Sequence, residues 1–249
     1  MTSDRPVPGT GRRRGVNVNL VNIDGERGDQ LTTRRSRGAP DTYHHGNLRQ
    51  ALLEHAVELA RTDGPDAVVL RDVQRMAGVS NSAAYRHYAD RDALLAAVTE
   101  YAEALLADAM VARLNAVPRR GSKANVALGR LRATGQGYID FALAEPGLFR
   151  TAFAHKDSAD SAHSREADVA GIPEHHPFRI LMRCIDDLVA AGVLSAGRRD
   201  GVDEAAWAAV HGLSTLFLDG PLSDAEAPRK QLIADRLLDV IGDGLRQRS

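Results

Sequence analysis

Between positions 80 and 88 the chain reads SNSAAYRHY, so Asn81, Ser82, Tyr85, Arg86, His87 and Tyr88 crowd one short stretch. An amide, a hydroxyl, two phenols, a guanidinium and an imidazole share one kind of chemistry. They hydrogen-bond to fixed donors and acceptors and hold anions. A guanidinium matches the paired acceptors on the major-groove edge of guanine, and an asparagine amide pairs with adenine or holds a phosphate. Ser82, Ala83 and Ala84 are small enough to let the backbone come close to a groove. The stretch therefore predicts contact with nucleic acid. Tyr85 reads as a phosphate contact. Tyr88 has an equal second reading as a core aromatic, and His87 has one as a local structural hydrogen-bonder.

Other reactive residues predict less. His155, His163, His175 and His176 are not spaced as a compact ligand set, so no metal site is expected and they read as solvated loop histidines. Cys184 is the only cysteine and lies beside Met182 and Ile185, which predicts an inert core thiol over an oxidant sensor. Trp207, His211 and Gly212 stand at i, i+4 and i+5 of one helical pattern. We read them as packing at a dimer interface, where Gly212 lets a neighbouring helix approach. The sequence holds no glycine-rich phosphate loop, nucleophile elbow or His-Glu zinc helix, and the adjacent Asp186 and Asp187 would not face each other on a helix. No catalytic residue and no cofactor is expected.

The elements that would position the polar stretch are helical. Leu48, Leu52, Ala56, Leu59 and Ala60 repeat at three- and four-residue steps, predicting a helix over 47–63 that Asn47 and Gln50 cap reciprocally and Gly64-Pro65 ends. A short helix over 70–77 stops at Gly78, which supplies a positive φ. Val79 then plugs the turn with Val73 and Ala77 behind it, and Ser80 caps a second short helix reaching Tyr88. Two short helices around such a turn make a helix-turn-helix. Asp90 caps a long helix with the stripe Leu94, Leu95, Val98, Tyr101, Leu105, Leu106 and Met110, ending before Pro118. Further helices are expected over 124–144, 146–153, 178–192, 203–219 and 227–246, the last with Ile233, Leu237, Val240, Ile241 and Leu245 on one face. Residues 154–177 read as a mobile loop. The fold class is all-α with about nine helices.

Bulk properties agree with a globular chain. Of 249 residues 43% are hydrophobic and 26% charged, with a net charge of −1. No apolar run is long enough to span a bilayer, no apolar leader is visible, and one cysteine fits a reducing cytoplasm. Segment 1–46 carries eight arginines against five acids, a local +3. Its Gly, Pro, Ser and Thr content makes 1–40 a disordered basic arm, with Arg34, Arg35 and Arg37 nearest the helical part. That leaves a helix-turn-helix domain over 41–91 and a second helical domain over 92–249.

The stretch YHHGNLRQALLEHAVELARTDGPDAVVLRDVQRMAGVSNSAAYRHYADRDALLAAV strongly resembles the DNA-binding domain of the TetR/AcrR family, most specifically in AGVS…YRHYADRDALL. The segment WAAVHGLSTLFLDG at 207–220 resembles the ligand-domain signature of the subgroup named for its Trp-His-Gly residues, and YHHGNLR is typical of it too. The resemblance covers about residues 43–246. It implies that the helix from Asn81 enters the major groove, with Asn81, Ser82 and Arg86 at base edges. Tyr85, His87, Arg91 and the backbone near Ser80 would hold phosphates, and Tyr43 and His44 would touch the DNA backbone. The last two helices, with Trp207, His211, Gly212, Leu237 and Ile241, would pair with their copies in a homodimer. A ligand pocket would lie among the middle helices, with Tyr101, Tyr138, Phe141, Phe149, Phe178 and Met182 as candidate walls. Four residues depart from the family pattern: Gln74 for a small alanine, Ala84 for leucine or proline, Arg91 for lysine, and Val69 for a Ser or Thr cap. The arm is longer than usual.

The expected function is a sequence-specific DNA-binding transcription regulator, a repressor released from a double-stranded operator by an unidentified small ligand. The alternative is a helical ligand-binding or adaptor protein whose N-terminal unit meets protein instead of DNA.

Overall fold

The computed structural model describes residues 48–154 and 172–246. The expectations for the basic arm, Tyr43, His44, the Asn47 cap, His155, His163 and most of the 154–177 loop lie outside the described residues.

Nine α-helices and no strand occur among the described residues. They are α1 (Leu48–Asp63), α2 (Leu70–Met76), α3 (Asn81–Tyr85), α4 (Arg91–Asn115), α5 (Lys123–Ala144), α6 (Pro146–Phe153), α7 (Pro177–Ala190), α8 (Val202–Leu218) and α9 (Ala227–Leu245). Their starts follow local chemistry. Ser80, Asp90 and Ser122 cap α3, α4 and α5 by accepting from the backbone N–H groups of Ala83, Ala93 and Asn125. Proline stands in the first turn of α6, α7 and α9, where its missing N–H costs nothing. The marked difference from expectation is α3, which spans five residues and ends at Tyr85. A helix that short has almost no stability of its own, so its neighbours must hold it.

Leu48, Leu52, Ala56, Val57 and Ala60 turn the buried stripe of α1 onto α4 and α2, while Leu59 is only half-buried. Helix α5 runs through the middle of the larger helical part, packed by α4, α7, α8 and α9. Glycine makes this possible: a Cβ on Gly137 would come within 2.8 Å of the Ala109 carbonyl oxygen, so α4 and α5 touch backbone to backbone. Behind α5 the thiol of Cys184 is fully buried, 3.2 Å from Thr134 Oγ1. Burial pushes its pKa up, as an inert core thiol requires.

Helix α6 links α1 and α4 to the end of α8. Its Gly147 lies on the end of α1 so closely that a Cβ would sit 2.2 Å from the carbonyl oxygen of Ala60 and 2.4 Å from that of Arg61. Beside it Arg61 Nε donates to Glu145 Oε2 at 2.8 Å. Thr99 of α4 donates to the Thr151 carbonyl at 3.1 Å, and Arg150 pairs with Asp219 at the end of α8. That ion pair holds the Asp219 carboxyl below the usual carboxylate range. The buried residues consequently form one core from α1 to α9.

Two carbonyl groups in a helix end cannot retreat from a methyl group as a flexible side chain could. Gly147→Ala is expected to cost about 1–3 kcal/mol in urea unfolding. Gly197→Ala, where a Cβ meets nothing within 4 Å, should stay within about 0.5 kcal/mol of the parent.

Candidate nucleic-acid interface and interior cavity

The turn between α2 and α3 is closed by backbone. Gly78, at φ 66°, donates to the Arg75 carbonyl at 3.2 Å, and Val79 donates to that of Gln74 at 3.1 Å. This paired closure after a helix requires the left-handed residue that glycine supplies. Val79 packs against the core and Val73 and Ala77 are buried, as the turn pattern predicts. Two departures noted in the sequence leave a mark. Val69 offers α2 no side-chain cap, and Gln74 Oε1 is buried without a hydrogen-bond partner.

On α3 and the three residues after it, inward and outward positions separate cleanly. Ala84 is fully buried and Tyr88 is 2% exposed, its hydroxyl donating to the Arg49 carbonyl of α1 at 3.3 Å. Burial raises the Tyr88 pKa. Of its two readings the core one describes its place, and Ala84 cannot be part of a surface meeting a groove. Asn81, Ser82, Tyr85, Arg86 and His87 are exposed, Tyr85 at 49%. Ser80 is exposed and spends its hydroxyl on the cap, 3.2 Å from that of Ser82. The structure therefore presents five of the six polar side chains of this stretch together, on a turn of helix too short to be a core element.

Arg91 is placed differently. Its Nε donates to the Val68 carbonyl at 2.9 Å and its Nη2 to the Pro65 carbonyl at 2.8 Å. The guanidinium thus ties the entry of α2 to the first turn of α4, and a phosphate role would have to be shared with this brace.

Among the middle helices lies a cavity of about 900 Å³. Three expected wall residues, Tyr138, Phe178 and Met182, line it; Tyr101, Phe141 and Phe149 do not. Phe141 and Phe149 are buried in the packing, and Tyr101 is half-buried on α4. The wall also contains Met110, Phe153, Asp203, Trp207 and Val210, none of which the sequence marks as a wall residue. Asp203 and Trp207 stand four apart on α8, a spacing that signals a shared face once the helix start is known. His176 also belongs to the wall: it caps α7 by accepting from the Phe178 N–H at 3.1 Å, and so is not a solvated loop residue. His175 stays exposed, 2.9 Å from Asp108. The described residues contain no group of three metal-ligating side chains.

Trp207 and His211, expected at the dimer interface, both meet the Tyr138 hydroxyl within the chain. Trp207 Nε1 donates to the Tyr138 hydroxyl at 3.3 Å, and His211 Nδ1 lies 2.8 Å from that oxygen. Phe153 packs on both rings at 6.3 and 4.7 Å. Burial pushes the Tyr138 pKa up strongly, so it stays a neutral hydroxyl joining α5 to α8. Gly212 does face outward, with nothing within 4 Å of an added Cβ. On α9 the expected single face divides: Ile233, Leu237, Ile241 and Leu245 are half-buried against the core, while Val240 is 69% exposed. Leu232 and Leu216 are exposed at 45% and 41%.

A short exposed polar helix behind a glycine turn, carried by a larger all-helical body with its own cavity, defines a helix-turn-helix transcription regulator with a separate chamber. Residues 52–98 match the family described as bacterial regulatory proteins of the tetR family, and residues 131–241 match the tetracyclin repressor-like C-terminal domain. Together these matches take in well over half of the chain, which belongs to the TetR family and is a DNA-binding transcription regulator. The chain has no match among curated proteins. Among solved structures, a Rhodococcus sp. RHA1 protein of unknown function is 29% identical, with TM-score 0.66, covering 84% of this chain and 100% of its own. A tetR-family regulatory protein from Rhodococcus RHA1 is 19% identical, with TM-score 0.56 and coverage of 81% and 98%. A TetR-family transcriptional regulator from Pectobacterium atrosepticum is 18% identical, with TM-score 0.56 and coverage of 84% and 99%. The last two share the fold.

If Arg91 is a brace, removing it must be felt without DNA. Arg91→Ala is expected to lower stability by about 2 kcal/mol in urea unfolding, the loss of two charged hydrogen bonds to carbonyls. A contact made only with phosphate would leave that unfolding curve unchanged.

Proposed function

We propose that the chain is a homodimeric repressor that holds a partly palindromic operator and releases it when a small ligand enters the cavity. The observation that carries this reading is α6. Its Phe153 lines the cavity, and its Gly147 rests on the end of α1, the helix that carries α2 and α3. A ligand that displaces Phe153 from Tyr138 and Trp207 therefore acts on an element with no slack at its other end. It shifts the DNA-binding equilibrium by as much as its affinities for the two arrangements differ. In this division of labour 41–91 meets DNA and 92–249 binds ligand and partner, with α4 leaving one and entering the other. The basic arm over 1–40, with Arg34, Arg35 and Arg37 nearest the reading unit, and Tyr43 and His44 add phosphate contacts. We read the chain as a cytoplasmic regulator of the Trp-His-Gly subgroup on its segment WAAVHGLSTLFLDG; no described helix is long and apolar enough to cross a membrane.

In this reading Asn81, Ser82 and Arg86 meet base edges and Tyr85 and His87 meet phosphates, and all five side chains are exposed on α3 and just after it. Fluorescence polarisation with the gene's own upstream region tests this. Arg86→Ala should cost about 1–3 kcal/mol on the specific site and relax the preference there. Tyr85→Phe should weaken specific and random DNA alike. Absence of any salt-sensitive binding would favour the adaptor reading, because phosphate contacts release counterions.

The pairing surface is the outer side of α8 and α9, where Gly212 admits a close helix and Leu216, Leu232 and Val240 stand uncovered. Leu237 and Ile241 support it from the half-buried side. Val240→Asp puts a charge at a position 69% exposed in the single chain, so folding is expected to be kept while the dimer mass is lost in light scattering. A dimer that survives Val240→Asp and Leu232→Asp together places the interface elsewhere.

A further inference from the structure

In the proposed homodimer, on which this inference rests, the distance between the two reading helices must be fixed by the chain itself. The path runs from the pairing surface on α8 and α9, through α6, to α1 and the short helices packed on it. Its two joints differ in kind. At α1 the joint is backbone, since Gly147 leaves no room for a methyl group against the Ala60 and Arg61 carbonyls. At α8 the side chains of α6 make the contact. The rings of Phe149 and Phe153 lie 5.5 and 4.7 Å from that of His211, and Arg150 reaches Asp219. Burial of apolar rings resists separation but has no direction, so it holds α6 poorly against sliding along α8. The ion pair does have direction. Arg150 Nε lies 3.1 and 3.2 Å from the two carboxylate oxygens of Asp219, and Nη2 lies 2.6 Å from Oδ1. A guanidinium that engages both oxygens of one carboxylate fixes orientation as well as distance.

Asp219 is itself firmly placed. It caps the C-terminus of α8, its N–H donating to the Thr215 carbonyl at 2.8 Å. Beside it a Cβ on Gly220 would come within 2.7 Å of Leu216 Cα, so the chain folds tightly back on the helix end. Lys230 of α9 donates to the carbonyls of Phe217 and Ser223 at 3.3 and 2.8 Å, which ties α9 to the same end. Leu216 and Leu232, uncovered on the pairing surface, stand three residues before Asp219 and two after Lys230. Asp219 therefore moves with the surface that meets the partner, and Arg150 moves with the reading unit.

We propose that Arg150 and Asp219 are a positioning pair that sets the spacing of the two reading helices in the dimer, and with it the spacing of the half-sites the dimer accepts. The two side chains are 40% and 51% exposed, and an ion pair in water contact adds little to folding stability. Its loss is felt in the choice of DNA spacing while the fold is kept.

Fluorescence polarisation of the full chain tests this with three kinds of DNA. They are the gene's own upstream region, versions with two base pairs added or removed at its centre, and one isolated half. Two base pairs turn one half-site by about 70° relative to the other. The unaltered chain is expected to prefer its own spacing by about tenfold. Arg150→Gln should cut that preference to about threefold or less, with affinity for the isolated half within about twofold and the thermal midpoint within about 4 °C of the parent. Asp219→Asn, and both changes together, should match Arg150→Gln, because each removes the same single interaction. Arg113→Gln is the control. Its partner Asp140 joins α4 to α5, which Gly137 already holds backbone to backbone, so the spacing preference is expected to stay. Where Asp219→Asn fails to fold, Arg150→Gln and Arg150→Lys carry the test, the lysine keeping the charge without the two-pronged grip. A preference kept in Arg150→Gln, additive losses in the double variant, or an equal loss in Arg113→Gln or on the isolated half overturns the proposal. An unaltered chain that binds the region with no preference for spacing overturns the dimeric reading and this proposal with it. A preference that every variant keeps overturns this proposal alone.

Discussion

The approach of Gly147 to the last carbonyls of α1 is the constraint on which much of this molecule turns. Helix interfaces are ordinarily cushioned by side chains, which can change rotamer and absorb a shift. Here α6 meets the end of α1 through backbone, with Ala60 and Arg61 offering rigid carbonyl groups and Glu145 pinning Arg61 beside them. Displacement at one side must then appear at the other, since packed interiors deform little. The far end of α6 is equally committed: Phe149 and Phe153 sit in an aromatic group with Tyr138 and His211, and Arg150 is held by Asp219.

That seam bears on how a five-residue helix can be held in one place. Asn81–Tyr85 cannot sustain itself, and its order is borrowed from Ala84 in the core, Tyr88 on Arg49, and the Ser80 cap. Arg91 fixes the start of α2 to α4 in the same way. Tyr88 rests on α1 and Arg91 belongs to α4, two helices that α6 packs against, while the Ser80 cap is local to α3.

The sequence made some of this plain and hid the rest for physical reasons. Helix spans came through because apolar spacing and capping residues are local: α6 is bounded by Pro146, and α4 by Asp90. The turn at Gly78 came through because positive φ selects glycine. Where a side chain does two jobs, sequence alone was silent. Tyr88 sits in a run of exposed polar residues and is nonetheless buried, because α3 ends before it and the chain turns inward. The pattern at Trp207 and His211 suggests interface packing, yet both close on Tyr138, a partner 69 and 73 positions away that no local pattern announces. The bracing role of Arg91 is invisible in the sequence because its acceptors are backbone carbonyls, which leave no trace in residue type.

The same distinction bears on Asp203. An acid in the first turn of a helix has an ordinary local explanation, since it complements the positive end of the helix dipole. What the sequence could not show is that Asp203 is buried at the cavity wall and shares Arg199 with Asp186. A helix-end acid at the surface is satisfied by water on every side. One that is 7% exposed, with one oxygen unpaired, keeps an electrostatic demand that the fold itself does not meet. The Asp203 wall adjoins the Trp207 and Phe153 rings, and Phe153 is the last residue of the helix whose second residue is Gly147. The place where the fold is least satisfied is thus one short helix away from the place where it is least able to yield.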